Sequence, residues 1–256
     1  MAVTGTPVTG SSSSITVTEL ITKILGDMAQ PTDGTGFWSR TDVLQALDYV
    51  QREISRLTEN IFATVTIEPA TSATSLTIDA NGNFLRGVSV YRTYGGSTQT
   101  ISFYTENQVV RYDSQWRTRT GSRIQGLITG IMGEGLARPY PIPDNGDNDI
   151  IVNYMKIATR ITTEGAIEIP QADIPCLEFG IKSFLYNLEK DGRDANKGKF
   201  WKDLYGMKDP TSGYLIGELS NVAARARARE EGTYSIIHER MATEEERLQP
   251  FYPWEV

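Results

Sequence analysis

The chain has 256 residues, of which 39% are hydrophobic and 22% charged, with a formal net charge of -7. That length accommodates one large domain or two small ones with a real core, and the low apolar fraction predicts a polar surface or extended polar segments. One cysteine, Cys176, excludes an internal disulfide framework and a thiolate-rich metal site, and one histidine, His238, excludes a multi-histidine metal site within the chain.

No run approaches the roughly 18 consecutive apolar residues of a membrane span, and no basic-then-apolar signal opens the chain. A soluble protein, not exported by that route and without a membrane partner, is expected. Net negative charge argues against a dedicated nucleic-acid binder.

Residues 1–14, MAVTGTPVTGSSSS, have little to bury and predict a mobile arm unless a partner orders it. Thr16 and Glu19 form a capping box, Ile15 and Leu20 a hydrophobic staple. Val17, Leu20, Ile21, Ile24, Leu25 and Met28 then recur at helical spacing. A second helix opens at Ser39, with Asp42 as its box partner and Trp38 and Val43 as staple, and continues through Val43, Leu47, Val50, Ile54 and Leu57. Together they predict an antiparallel helical hairpin over 15–60.

After Asn60 the period changes to two. FATVTIEPA, SLTIDA, RGVSVYRT and QTISFY read as antiparallel strands and hairpins, with Asn-Gly and Gly-Gly turn signals in two of the gaps. A helical turn or two fits between Thr105 and Gly121, and strand signals return at 123–131, 150–157 and weakly at 166–169. The proline-rich run Arg138–Asp144 predicts extended chain that is not a central strand. The whole of 61–170 is expected to be one β-rich subdomain.

Helical spacing resumes at Ile174, Leu177, Ile181, Phe184, Leu185 and Leu188, with Pro175 tolerated in the first turn. Asp191-Gly192 ends that helix, and Asp194 caps the next, whose apolar face is Phe200, Trp201, Leu204 and Tyr205. After Asp209-Pro210 a last helix is predicted from Ser212 to Glu231. At about 100° per residue its Arg225, Arg227 and Arg229 spread over more than half the circumference. That suits a solvated or interfacial helix better than a core one.

Catalytic signatures are scarce. His238 falls in the polar stretch after the last predicted helix, which argues against a Ser-His-Asp triad, and phosphate-binding, dinucleotide-binding and zinc-protease motifs are all lacking. Asp144-Asn-Gly-Asp147-Asn-Asp149 resembles the start of a calcium loop but lacks its terminal Glu and leads into a strand, so a tight polar turn is the preferred reading. No cofactor, metal ligand or catalytic residue is assigned.

Two segments point to partners instead. Arg111, Tyr112, Trp116, Arg117, Arg119 and Arg123 interleave cations and aromatics, which fits either a nucleic-acid backbone or, preferably, an inter-subunit surface. Residues 232–256 form an extended tail ending in Leu248-Gln-Pro-Phe251-Tyr252-Pro253-Trp254. Its aromatics bring large buriable area and its prolines lower the entropy lost on docking, so it reads as a segment made to insert into a partner's groove. Folding back on its own domain is the alternative.

In order, ITVTELITKIL, FWSRTDVLQALDYVQREISRLT, SVYRT, RPYPIPDNGDNDIIVNYM, IEIPQADIPCLEFGIKSFLYNLEKDGRD and KGKFWKDLYGM resemble the head-to-tail adaptor proteins of tailed bacteriophages. The resemblance covers most of 15–230 and rests on a W-[ST]-x-x-[DE] helix start, a P-x-P-D turn before a V-x-Y strand and an I-x-I-P lead into a helix. It implies an α+β fold in which an α-helical bundle, built from 15–60 and 171–231, carries the inserted antiparallel β-rich subdomain, with the N-terminal arm and C-terminal tail extending from it.

It further implies a homo-oligomeric ring, usually of twelve subunits, at the virion neck between portal protein and tail, assembled in the host cytoplasm and passed by genomic DNA. Phe251, Tyr252, Pro253 and Trp254 would then dock on the portal. Arg111, Trp116, Arg117, Arg119, Arg123, Arg225, Arg227 and Arg229 would face a neighbouring subunit or the DNA. A cell-wall hydrolase of the virion and a tail-fibre attachment protein are the alternatives.

Overall fold

The computed structural model describes residues 8–9, 15–146, 149–161, 166–188 and 194–241, with the side chains of 8–9 and 231–241 excepted. Helix α1 (Val17–Asp27) starts where Thr16 Oγ1 accepts from Glu19 N at 3.2 Å while the Glu19 carboxylate accepts from Thr16 N at 2.8 Å. Helix α2 (Arg40–Thr58) starts on the same reciprocal bonds between Ser39 and Asp42, and ends at Glu59, whose φ of 50° turns the chain into the left-handed region. The apolar stripes of both helices are buried in one cluster with Trp38 and the stripe of a later helix.

Strand β1 (Val8–Thr9) precedes α1, and after α2 the chain builds β2 (Phe62–Ile67), β3 (Leu76–Thr77), β4 (Phe84–Tyr94), β5 (Ser97–Tyr104), helix α3 (Glu106–Tyr112), β6 (Thr120–Gly121), β7 (Gly126–Thr129), β8 (Leu136–Tyr140), β9 (Ile142–Pro143) and β10 (Asp149–Lys156). Eight strands form one sheet in the order β1-β2-β10-β4-β5-β7-β8-β3, and β6 pairs with β9 separately. Gly95 and Gly96, both at positive φ, make the tight β4–β5 turn. Leu76 and Ile78 at one end of the order share a core with Ala63 and Val65 near the other, so the sheet curls until it is nearly closed.

This overturns the expected helical bundle with an inserted antiparallel subdomain. The sheet is a major part of an α+β fold, and it is mixed, because the crossover through α3 brings β7 back parallel to β5 (Phe103 opposite Leu127). Alternation reveals which residues are extended and which face is buried, but it does not encode pairing order. Three smaller corrections follow from the same limit. Val8–Thr9, within the expected arm, pairs antiparallel with β2; the rest of 1–14 lies outside the described residues. The weak strand at 166–169 reduces to a single bridge between Ala166 and Thr16. The proline run contributes an internal strand, β8, which tolerates Pro139 because β3 reaches only Leu136 and Ala137, so the ladder on that flank has already ended.

The return to helix passes through a 3-10 turn at Gln171–Asp173 into α4 (Ile174–Asn187), then α5 (Ala195–Tyr205), where Asp194 accepts from Asn196 N and Lys197 N. Helix α6 (Glu218–Met241) begins later and runs further than Ser212–Glu231. Asp209 ties the backbone N–H groups of Thr211 and Ser212 into a turn, and Gly213 and Gly217 hold positive φ, so the helix cannot nucleate before Glu218. His238 consequently lies within the helical backbone.

Polar side chains of α2 join the layers. Ser55 Oγ accepts from Ala158 N at 2.9 Å, Asp48 accepts from Ile161 N at 2.7 Å, and Arg52 donates to Ala158 O at 3.0 Å. The segment leaving β10 is thereby strapped along the helix.

Candidate functional site

Helical spacing decides which side chains line a concavity between α2 and α4. On α2, Tyr49, Val50, Glu53, Arg56 and Leu57 recur at three- and four-residue steps; on α4, Gly180, Ser183 and Phe184 do the same, with Leu188 just past its end. With the turn after α5 they enclose an open groove of about 610 Å³. Gly180 makes the approach of these helices possible, since a Cβ there would lie 2.4 Å from Val50 Cγ1 and 2.9 Å from Tyr205 Cε2.

The groove is apolar inside and cationic at its rim. Tyr49 is 52% exposed with its ring centred 5.3 Å from that of Phe184. Tyr205 at the base donates its hydroxyl to Glu53 at 2.8 Å; burial, reinforced by the Glu53 charge, pushes the phenol up and keeps it a neutral donor. Arg56, Lys202 and Lys208 stand around the opening, and none of the three forms an ion pair among the described residues.

The expected apolar face of α5 is only partly covered. Tyr205 is buried and Trp201 stacks on Phe179, but Phe200 and Leu204 are exposed, as are Tyr214 and Ile216 on the following turn. Four apolar side chains on α5 and the turn after it are therefore left open outside the groove lining.

The α3 segment is built differently. Trp116 is buried, with the guanidinium carbons of Arg117 and Arg138 lying 5.2 and 5.3 Å from its ring centre. Arg117 donates to Glu106 at 2.7 Å, while Arg119 and the Tyr140 hydroxyl donate to Asp113 at 3.2 and 2.9 Å. Burial opposes ionisation of Asp113, but hydrogen bonds from Gln115 N, Tyr140 and Arg119 outweigh it and hold the carboxyl below its usual range. Arg123 lies over Tyr94, and Arg111 is exposed beside the exposed Tyr112. Trp116 is thus core, and Arg117 and Arg119 are matched to acids, so the segment is not a bare cationic track.

Arg225 and Arg229 turn inward. Arg225 Nε and Arg229 Nη2 donate to the fully buried Asp173 at 2.8 and 3.2 Å, and Asn60 Nδ2 adds a bond at 3.1 Å. Arg225 also meets Glu218, and although burial works against its charge, the two carboxylates raise its pKa. Arg227 stays exposed beside a shallow pocket edged by Arg86, Glu59 and Glu230. Arg86 bridges Glu59 at 2.6 Å and Glu230 at 2.8 Å, the Glu230 hydrogen bonds doing most to raise its pKa. The missed residues are Asp173, Asn60, Arg86 and Gly180; the four-residue spacing of Arg225 and Arg229 was the available signal for a shared partner.

Phe251, Tyr252, Pro253 and Trp254 lie outside the described residues, as do Asp147 and Asn148 of the polar turn. Cys176 is buried in the helical core, and burial raises its thiol pKa. Among the described residues no three His, Cys, Asp or Glu are grouped to hold a metal ion, and no helix is long and apolar enough to cross a membrane. Compared with known proteins, the chain matches no family model and no curated relative.

Proposed function

We propose that the chain is a non-catalytic structural subunit that assembles with copies of itself into a ring, set between the portal protein and the tail of a tailed bacteriophage. In this role the ring, of about twelve subunits by the family resemblance, extends the channel through which DNA passes and offers the tail its attachment surface. The observation that carries the reading is the uncovered apolar groove of about 610 Å³ on the helical layer, together with the exposed Phe200, Leu204, Tyr214 and Ile216. Exposed apolar surface of this kind marks interaction sites, and a heterologous contact repeated between identical subunits forms a ring when its rotation closes.

Two further features support it. The order of sequence segments resembles that of phage adaptors, and a net charge of -7 favours sliding of DNA past the protein over gripping it. Size-exclusion chromatography with light scattering, with and without portal protein, tests the proposal. The expected mass is a high multiple of 28.4 kDa, alone or on the portal. A strict monomer that never binds portal overturns it.

A further inference from the structure

The groove lacks an occupant among the described residues, and the chain carries a segment, Leu248–Trp254, whose chemistry matches it. We propose that this segment of one copy docks in the α2–α4 groove of a second copy. The inference rests on the ring reading and deepens it by naming the contact that joins neighbours.

Three observations carry it. The first is the wall. Tyr49 and Phe184 present an aromatic surface beside Val50 and Leu57, and such grooves take extended proline-containing segments whose ordering cost is already reduced. Residues 248–254, LQPFYPW, supply three aromatics on a backbone stiffened by two prolines.

The second is charge. Arg56, Lys202 and Lys208 ring the opening without ion-pair partners among the described residues, and Glu53 is engaged by Tyr205. Residues 242–256 carry Glu244, Glu245, Glu246 and Glu255 against Arg247 alone. A cationic rim meets an acidic segment, which sets orientation and speeds encounter.

The third is length. Leu219, at the start of α6, lines the groove, and α6 runs on to Met241. Leu57 of the groove also shares a pocket with Ala223, so at ~1.5 Å per residue the helix end lies about 27 Å along the axis from the groove's nearer edge. From Met241 to Phe251 a fully extended chain spans at most about 33–36 Å. Return to its own groove would spend most of the length up to Phe251 on doubling back along α6. The groove of a second copy carries no such restriction, and one segment in one groove, repeated, is the head-to-tail contact from which a ring is built when the rotation closes.

The test uses the full chain with Lys202→Cys and Glu255→Cys, one on the rim and one beside the docking aromatics, treated with oxidised glutathione and read by non-reducing electrophoresis. Cys176 is fully buried and stays out of the reaction. Expected is a ladder at multiples of 28.4 kDa that disappears when Trp254→Ala is added and is absent from a Phe37→Cys/Glu255→Cys pair, since Phe37 is exposed but outside the groove. An internally linked monomer alone overturns the proposal in favour of a chain folding back on itself. No link in a preparation whose wild type assembles also overturns it, places the segment elsewhere, as on the portal, and leaves the ring reading standing. A wild type that remains monomeric with and without portal overturns both.

Discussion

Arg225 Nε donates to Asp173 Oδ1 at 2.8 Å, and the carboxylate it meets is completely buried while the Arg225 side chain is 37% exposed. The two partners are therefore unequal. Asp173 has given up water and depends on Arg225, Arg229 and Asn60; the arginines can rehydrate. The contact fixes α6 where α2 ends, β2 begins and α4 starts. Asp173→Ala is expected to destabilise by about 2 kcal/mol, the lower part of the range for charged hydrogen bonds because of the arginine exposure. Urea unfolding measures it, and a double-mutant cycle with Arg225→Ala should show coupling above that of the exposed Asp194–Lys197 pair. Equal, negligible coupling in both pairs would remove Asp173 as an anchor.

Gly180→Ala sets two effects against each other. Alanine favours helix by about 1 kcal/mol over glycine. Here its Cβ would meet Val50 Cγ1 at 2.4 Å and Tyr205 at 2.9 Å, so α4 has to move off α2. Overpacking of this kind costs about 1–3 kcal/mol, and net destabilisation of about 1 kcal/mol is expected by chemical denaturation. A stabilised variant would mean that the helices separate freely.

Tyr205 separates a hydrogen bond from a packing effect. Tyr205→Phe removes the donor to Glu53, which faces the open groove and can be hydrated, so a loss of about 1 kcal/mol or less is expected. Tyr205→Ala empties the base of the groove and should cost about 3–5 kcal/mol. Thermal or urea melts of the two variants compare them directly, and similar losses would contradict the assignment.

Asp113 predicts a pH dependence of known sign. Its folded pKa is depressed, so its stabilisation is fully present above the unfolded value of about 3.9 and is lost as pH falls through the lower folded value. Wild-type stability should therefore drop on acidification below about pH 4 more steeply than that of Asp113→Asn. Urea midpoints measured from pH 2 to pH 6 decide the matter; parallel profiles would show that Tyr140 and Arg119 do not favour the charged form.

The local elements are legible from the residues alone. Thr16 with Glu19 and Ser39 with Asp42 mark the starts of α1 and α2 because a capping box involves residues only three apart, and the apolar stripes of α1, α2 and α4 are legible because helical faces repeat every three to four residues. Such signals end where contacts become long-range. Long-range packing is what lays β7 parallel to β5, seats Pro139 in an internal strand, brings Arg225 and Arg229 to Asp173, and sets Tyr49 and Phe184 on one groove. Periodicity records which face of an element is apolar. It carries no record of the distant residue that covers that face, or of the part of it left open.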